Sequence, residues 1–158
     1  MGFSTWSTEI ETAVPAPRLF KAAVMDWHNL GPKIASDKIV SAAPAEGDGG
    51  IGSTRQFNFA PGMPFSYVKE RLDFIDVEKF EVKSSLVEGG GIGTHVESAS
   101  SDTAFVPKDG GCVVKVVGSY KPVPGANAEE EAERVKASFV GIIKTAEAYL
   151  LANPDAYN

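Results

Sequence analysis

Apolar and polar positions change period along this chain, and the changes mark its elements. Phe3, Thr5, Trp6, Thr8, Ile10 and Thr12 are β-favouring and predict a strand over residues 3–12. Pro15 and Pro17 sit where the first turn of a helix tolerates proline, and Leu19, Phe20, Ala23 and Val24 give that helix a short apolar stripe. Asp26 is placed to cap a second short helix, which Gly31-Pro32 ends. Residues 38–43 predict a second strand. Strand-like runs then recur at 55–59, 65–75, 78–87, 95–105 and 112–121, with turns at Gly89-Gly90-Gly91 and Lys108-Asp109-Gly110-Gly111. Intervals this short accommodate hairpins and leave no room for crossover helices, so the sheet is antiparallel.

The period switches to helical after residue 127. Asn127 followed by Glu130 resembles a capping box with Asn in the Ser/Thr role, and Glu129, Glu130 and Glu131 suit the positive end of a helix dipole. Val135, Phe139, Ile142, Ile143, Ala146 and Leu150 recur at helical spacing until Asn153-Pro154 stops it. A helix of about 24 residues runs roughly 36 Å, so it must lie across the whole sheet. One strand, two short helices, six strands and a long helix make an α+β protein whose curved antiparallel sheet covers one helix. Space between sheet and helix is a natural ligand site.

The 158 residues suit a single domain, 1–158, and 15 basic against 21 acidic residues give a net charge of −6. That balance disfavours nucleic acid as a partner, since phosphate-backbone affinity comes chiefly from Lys and Arg. Cys112 is the only cysteine, so no intrachain disulfide forms; at a strand start it reads as a small buried hydrophobe. No apolar run approaches the ~20 residues that span a bilayer, and the N-terminus lacks the basic and apolar regions of a secretory signal. A cytoplasmic protein without membrane association is expected. His28 and His95, the only histidines, have no metal-ligand spacing, and no cofactor is expected.

Gly47-Asp48-Gly49-Gly50-Ile51-Gly52 matches G-x-G-x-x-G, but Ser53 to Phe59 alternates as a strand where a dinucleotide loop would open a helix. It reads instead as a glycine hairpin whose amides could hold an anion through Gly47, Gly49, Gly50 and Gly52. In the strand that follows, alternation puts Phe65, Tyr67, Lys69 and Arg71 on one face and Val68, Glu70 and Leu72 on the other. If Tyr67 points inward, it and Lys69 supply polar handles in an apolar pocket; otherwise Lys69 and Arg71 are solvated and paired with acids. Glu97, Glu147 and Tyr149 could form an acidic constellation for phosphodiester cleavage. Positions 147 and 149 lie ~200° apart on a helix, however, so the alternative is a solvated Glu147 and a packed Tyr149.

Taken together, Glu46 to Gly52, the strand Tyr67-Val68-Lys69-Glu70-Arg71-Leu72-Asp73 and the tail from Glu147 to Tyr157 resemble plant class-10 pathogenesis-related proteins, the homologues of the birch-pollen major allergen in the START-like helix-grip superfamily. Pro15 to Ala22 and Leu86 to Gly90 are similar as well, and Asp26 to Lys33 resembles monocot members. The resemblance implies a seven-stranded sheet wrapped around the C-terminal helix, with the two short helices as a V beneath it. It also implies a cavity for a small hydrophobic plant metabolite or hormone: a cytokinin, flavonoid, steroid, fatty acid or abscisic-acid-like molecule. Carried over by position, the lining is Ile39, Phe59, Phe65, Tyr67, Val82, Ser84, Ile92, Ser101, Thr103, Val135, Phe139 and Ile142, with Lys69 as a further contact. Ser84, Ser101 and Thr103 stand where relatives place larger residues, which implies a roomier, more polar cavity. The glycine loop and the turn at 89–93 are candidates for entrance motion.

The same resemblance implies an alternative, a ribonuclease using Glu97, Glu147 and Tyr149 with the glycine loop. The net charge and the single basic residue after that loop, Arg55, argue against it. The Tyr-x-Glu pair of the norcoclaurine-synthase-like members is absent, as are the gate and latch motifs of hormone receptors that engage a phosphatase. A phosphatase partner is therefore unsupported, and a monomer acting as a plant defence and stress protein is expected.

Overall fold

The computed structural model describes residues 2–158. Strand β1 (Ser4–Thr12) leads through helix α1 (Ala16–Phe20) and a π-helical turn (Lys21–Met25) into α2 (Trp27–Ile34). Six strands follow: β2 (Ile39–Glu46), β3 (Thr54–Phe59), β4 (Tyr67–Asp76), β5 (Glu81–Gly89), β6 (Val96–Lys108) and β7 (Gly111–Pro122). Helix α3 (Ala128–Ala152) closes the order. All seven strands join one antiparallel sheet in the order β1-β7-β6-β5-β4-β3-β2. Each hairpin partner is therefore a spatial neighbour, and only β1 crosses over, to the edge beside β7.

The expected caps and breaks are partly corrected. Asn127 Oδ1 accepts from the Glu130 amide at 3.1 Å, as the capping pattern requires. Helix α2, by contrast, runs through Pro32 to Ile34. A proline forces the residue before it out of the helical region chiefly by clashing with that residue's Cβ, and Gly31 has none. Gly31 also lies against the Trp27 indole, where a Cβ would come within 3.1 Å. Nor does the Asp26 side chain cap this helix. Its carboxylate accepts from the Asn29 side chain at 2.7 Å and from the Tyr157 hydroxyl, so it ties the C-terminal tail to α2.

Strand β5 begins later than alternation predicts because Asp76 Oδ1 takes the amides of Glu78 and Lys79, each at 3.0 Å, and Phe80 adopts φ +59. The core gathers under β1, β7 and the short helices. Leu19, Phe20, Val14, Val114, Val116, Cys112 and Leu150 are all at most 1 % exposed. Burial pushes the Cys112 thiol up to about 11, with a smaller push from Glu147, so it is an inert packing residue. Arg18 fixes the far end of α3, its guanidinium donating to the carbonyls of Leu150, Asn153 and Ala156 at 2.8–3.2 Å.

Candidate functional site

Register decides which side chains share a face. Trp6 and Ile10 of β1 stand opposite Gly118 and Val114 of β7. These in turn oppose Ser101 and Phe105 of β6. Ser101 and Thr103 oppose Ser84 and Val82 of β5, which oppose Leu72 and Ile75 of β4. Val68 opposes Phe57 of β3. This face is the concave one, because the Trp6 ring meets Phe139 of α3 at 5.6 Å.

Between the concave face and α3 the inward-facing side chains are incompletely buried. Val135, Phe139 and Ile142 turn from the helix toward the core, and the helix approaches the sheet most closely at β1. Ser84, Leu86, Ala99 and Ser101 on the sheet, and Val135, Phe139 and Ile142 on the helix, are only partly buried although they face inward. A filled core would bury them as completely as Val114 and Val116. The lining is apolar, except for a patch of hydroxyls formed where Ser84 and Ser101 pair directly and Thr103 follows on the same face.

Of the residues expected to line this space, Ile39 and Val82 are buried on the concave side and Phe59 packs against the same cluster, as does Ile92 from its loop. Phe65 precedes β4 and stands at one end, its ring under the Arg134 guanidinium at 4.6 Å and edge-on to His95 at 5.2 Å. Gly91 completes this contact, since a Cβ there would meet the Phe65 ring at 3.0 Å.

Tyr67 and Lys69 require correction. They alternate with Val68 and Leu72, which pack on the core, and so stand on the convex face. The Tyr67 hydroxyl donates to Glu88 at 2.8 Å, and Lys69 lies 4.0 Å from both Glu46 and Glu88. The polar residues that do face inward on β3 and β4 are Arg55 and Glu70, paired at 2.7 Å. Arg55 also donates to the Val24 carbonyl at 2.8 Å and lies over the Phe57 ring. Burial, and then the Arg55 charge, hold the neighbouring His28 imidazole below its usual range. Sequence reasoning missed this pair, although Val68 and Leu72 already marked which face of β4 is apolar.

The glycine loop is occupied by its own side chains. The Gly50 amide donates to Asp48 Oδ1 at 2.9 Å and the Gly49 amide to Ser53 Oγ at 2.9 Å. The Gly50 amide, and then the amide of Asp48 itself, hold the Asp48 carboxyl below its ordinary value. An external anion would have to displace a carboxylate already seated there, so the expected anion role of Gly47, Gly49, Gly50 and Gly52 does not fit.

Nor do Glu97, Glu147 and Tyr149 share a site. Glu97 pairs at 2.9 Å with Lys121, near the end of β7, while Glu147 reaches the end of β1 beside Cys112, where β7 begins. Nine strand residues separate those ends, roughly 30 Å. Tyr149 packs into the core from another side of α3.

Glu147 is instead a brace. Its Oε2 accepts from the Ala13 amide at 3.0 Å and its Oε1 lies 3.4 Å from Lys144, with the side chain 16 % exposed. Burial alone would raise its carboxyl, but the Thr12 hydroxyl, the Ala13 amide and Lys144 outweigh it and hold the group below its ordinary value. A depressed carboxylate stabilises the fold fully above the unfolded value near 4.3, and that contribution is lost as pH falls through the lower folded value. Glu147→Gln is therefore expected to cost about 1–2 kcal/mol at pH 7 and progressively less toward pH 3. Denaturant unfolding at several pH values checks this; a loss independent of pH would remove Glu147 from the brace.

A curved seven-stranded sheet gripping one long helix defines the helix-grip class. Residues 1–153 match the Pathogenesis-related protein Bet v 1 family, and the chain belongs to it. It is 50 % identical over 159 residues to pathogenesis-related protein 1 of Asparagus officinalis, covering 99 % of both chains. It is 39 % identical over 162 residues to the major pollen allergen Aln g 1 of Alnus glutinosa, covering 100 % of both. Among solved structures, that of Ara h 8.0201 superposes with a TM-score of 0.85 at 31 % identity, covering 96 % of this chain and 100 % of that one. The norcoclaurine synthase of Thalictrum flavum, at 21 % identity and a TM-score of 0.73, covering 96 % of this chain and 88 % of its own, shares the fold. No helix among the described residues is long and apolar enough to cross a membrane.

Proposed function

We propose that this protein is a plant defence and stress protein that reversibly holds a small hydrophobic metabolite or hormone between the concave face and α3. The observation that carries the reading is the partly exposed, inward-facing set of Val135, Phe139 and Ile142 opposite the Ser84–Ser101 hydroxyls. Leaving that apolar surface wet is unfavourable, and each Å² of ligand and wall removed from water stabilises a complex by roughly 25 cal/mol. The serine and threonine hydroxyls both donate and accept, so they can orient a ring system that carries one or two polar substituents without selecting a single one. The Arg55–Glu70 pair adds a fixed charged group at the α2 end.

Membership in a family associated with defence and ligand binding supports the same reading. The scatter of Glu97, Glu147 and Tyr149 leaves the ribonuclease alternative without a site. Calorimetric titration with cytokinins, flavonoids, steroids and abscisic acid tests the proposal. One-to-one binding in the micromolar range with a negative heat-capacity change is expected for apolar burial. Failure of every compound, together with failure of a fluorescent apolar probe to enter, would overturn it.

A further inference from the structure

On the convex face the sheet parts, and the opening reaches Leu86 and Ala99, whose side chains face inward. Strands β5 and β6 pair only from Glu81–Ala104 to Ser85–Ser100. Beyond that rung they diverge, and a register shift between β4 and β5 falls at the same place. The opening is a groove of about 300 Å³ with Leu86 and Ala99 among its lining, Arg71 at one rim and Phe3, 67 % exposed, at another.

Across this groove one row of the sheet is almost entirely hydroxyl. Thr5 pairs with Ser119, Ser119 with Ser100, Ser100 with Ser85 and Ser85 with Arg71. Adjacent strands lie about 4.8 Å apart, so the hydroxyls repeat at nearly that interval. Ser85 gives its hydroxyl to Asp73, which also holds Arg71 at 2.7 Å. Among the described residues, the one cation of the lining is thus already neutralised.

We propose that this groove binds the pyranose ring of a neutral saccharide. Sugar hydroxyls donate and accept as serine hydroxyls do, and equatorial hydroxyls on alternate ring carbons, rather than vicinal ones, are spaced about as the strands are. The exposed Phe3 offers an aromatic face for the ring's C–H groups, and the neutral Arg71–Asp73 pair offers both a donor and an acceptor. A phosphate would find no uncompensated positive charge among the described residues, and an apolar ligand would strand the hydroxyls.

The test is a titration of the ¹⁵N-labelled protein with methyl β-D-glucopyranoside and with cellobiose, and separately with inorganic phosphate. Saccharide binding with a Kd on the order of 1–10 mM is expected, with amide shifts centred on Ser85, Ser98, Ser100 and Ser119. Replacing both Ser100→Val and Ser119→Val, which keeps strand-favouring residues on an outward face, should weaken it at least tenfold. Phe3→Ala, at an exposed position that folding does not need, should weaken it several-fold. Any of four results would overturn the proposal: no shifts with saccharide, undiminished affinity in both variants, the same shifts with phosphate, or shifts confined to the concave face.

Discussion

Gly118→Ala is expected to lower the melting temperature by roughly 5–12 °C, the equivalent of about 2–4 kcal/mol for a chain of this size. The reason is local. A Cβ at Gly118 would lie 2.0 Å from Trp6 Cε2, 2.2 Å from Nε1 and 2.3 Å from Cζ2. The Trp6 indole therefore rests directly on the β7 backbone, 8 % exposed and held from the other side by Phe139. An added methyl must lift the indole off the β7 backbone and drive it against Phe139, so both rings have to shift. Because one contact carries the cost, the effect must be coupled: in a Trp6→Leu background the same substitution should cost at least 1 kcal/mol less. Thermal melts of the two single variants and the double variant measure this, and simple additivity would show that the indole is not what Gly118 accommodates.

Ser101→Phe should reduce affinity for any ligand found by the calorimetric panel at least tenfold, while Tyr67→Ala should leave it unchanged. Ser101 lies at the middle of the concave face, between Ser84 on one side and Gly118 on the other. A phenyl ring there occupies space the ligand needs. It is accommodated because the position is only partly buried on the concave face, so stability should change little. Tyr67 is bound to Glu88 on the opposite face and contributes nothing to the lining. Paired titrations of the two variants decide the matter. Undiminished binding in Ser101→Phe with impaired binding in Tyr67→Ala would reverse the assignment of faces and move the site to the convex side.

That assignment shows where the sequence ceased to be informative. Alternation correctly grouped Tyr67, Lys69 and Arg71 against Val68, Glu70 and Leu72. The period alone does not say which group faces α3; the apolar Val68 and Leu72 favour their own face, and the packing of β4 between β3 and β5 fixes it. The hydroxyl patch is a similar case. Ser84 and Ser101 are recognisable individually as small polar residues in strands, but their direct opposition is a property of register. The proposed constellation of Glu97, Glu147 and Tyr149 failed for a different reason: residue types suited to acid–base chemistry carry no information about the ~30 Å of strand between them.

What the sequence determined by itself is the order and kind of the elements. Short alternating runs between glycine turns admit only an antiparallel sheet, and the helical period from Val135 to Leu150 behind the Asn127 cap admits only a long helix. Those signals are local, set by backbone geometry and side-chain period within a few residues. The tertiary structure alone decided that the helix meets the sheet mainly at β1. It also decided that Arg55 and Glu70, rather than Tyr67 and Lys69, face inward there, and that Asp48 fills its own glycine loop. Each of these depends on which distant strand lies alongside and how strongly the sheet curves, and neither is encoded in the pattern of any one segment.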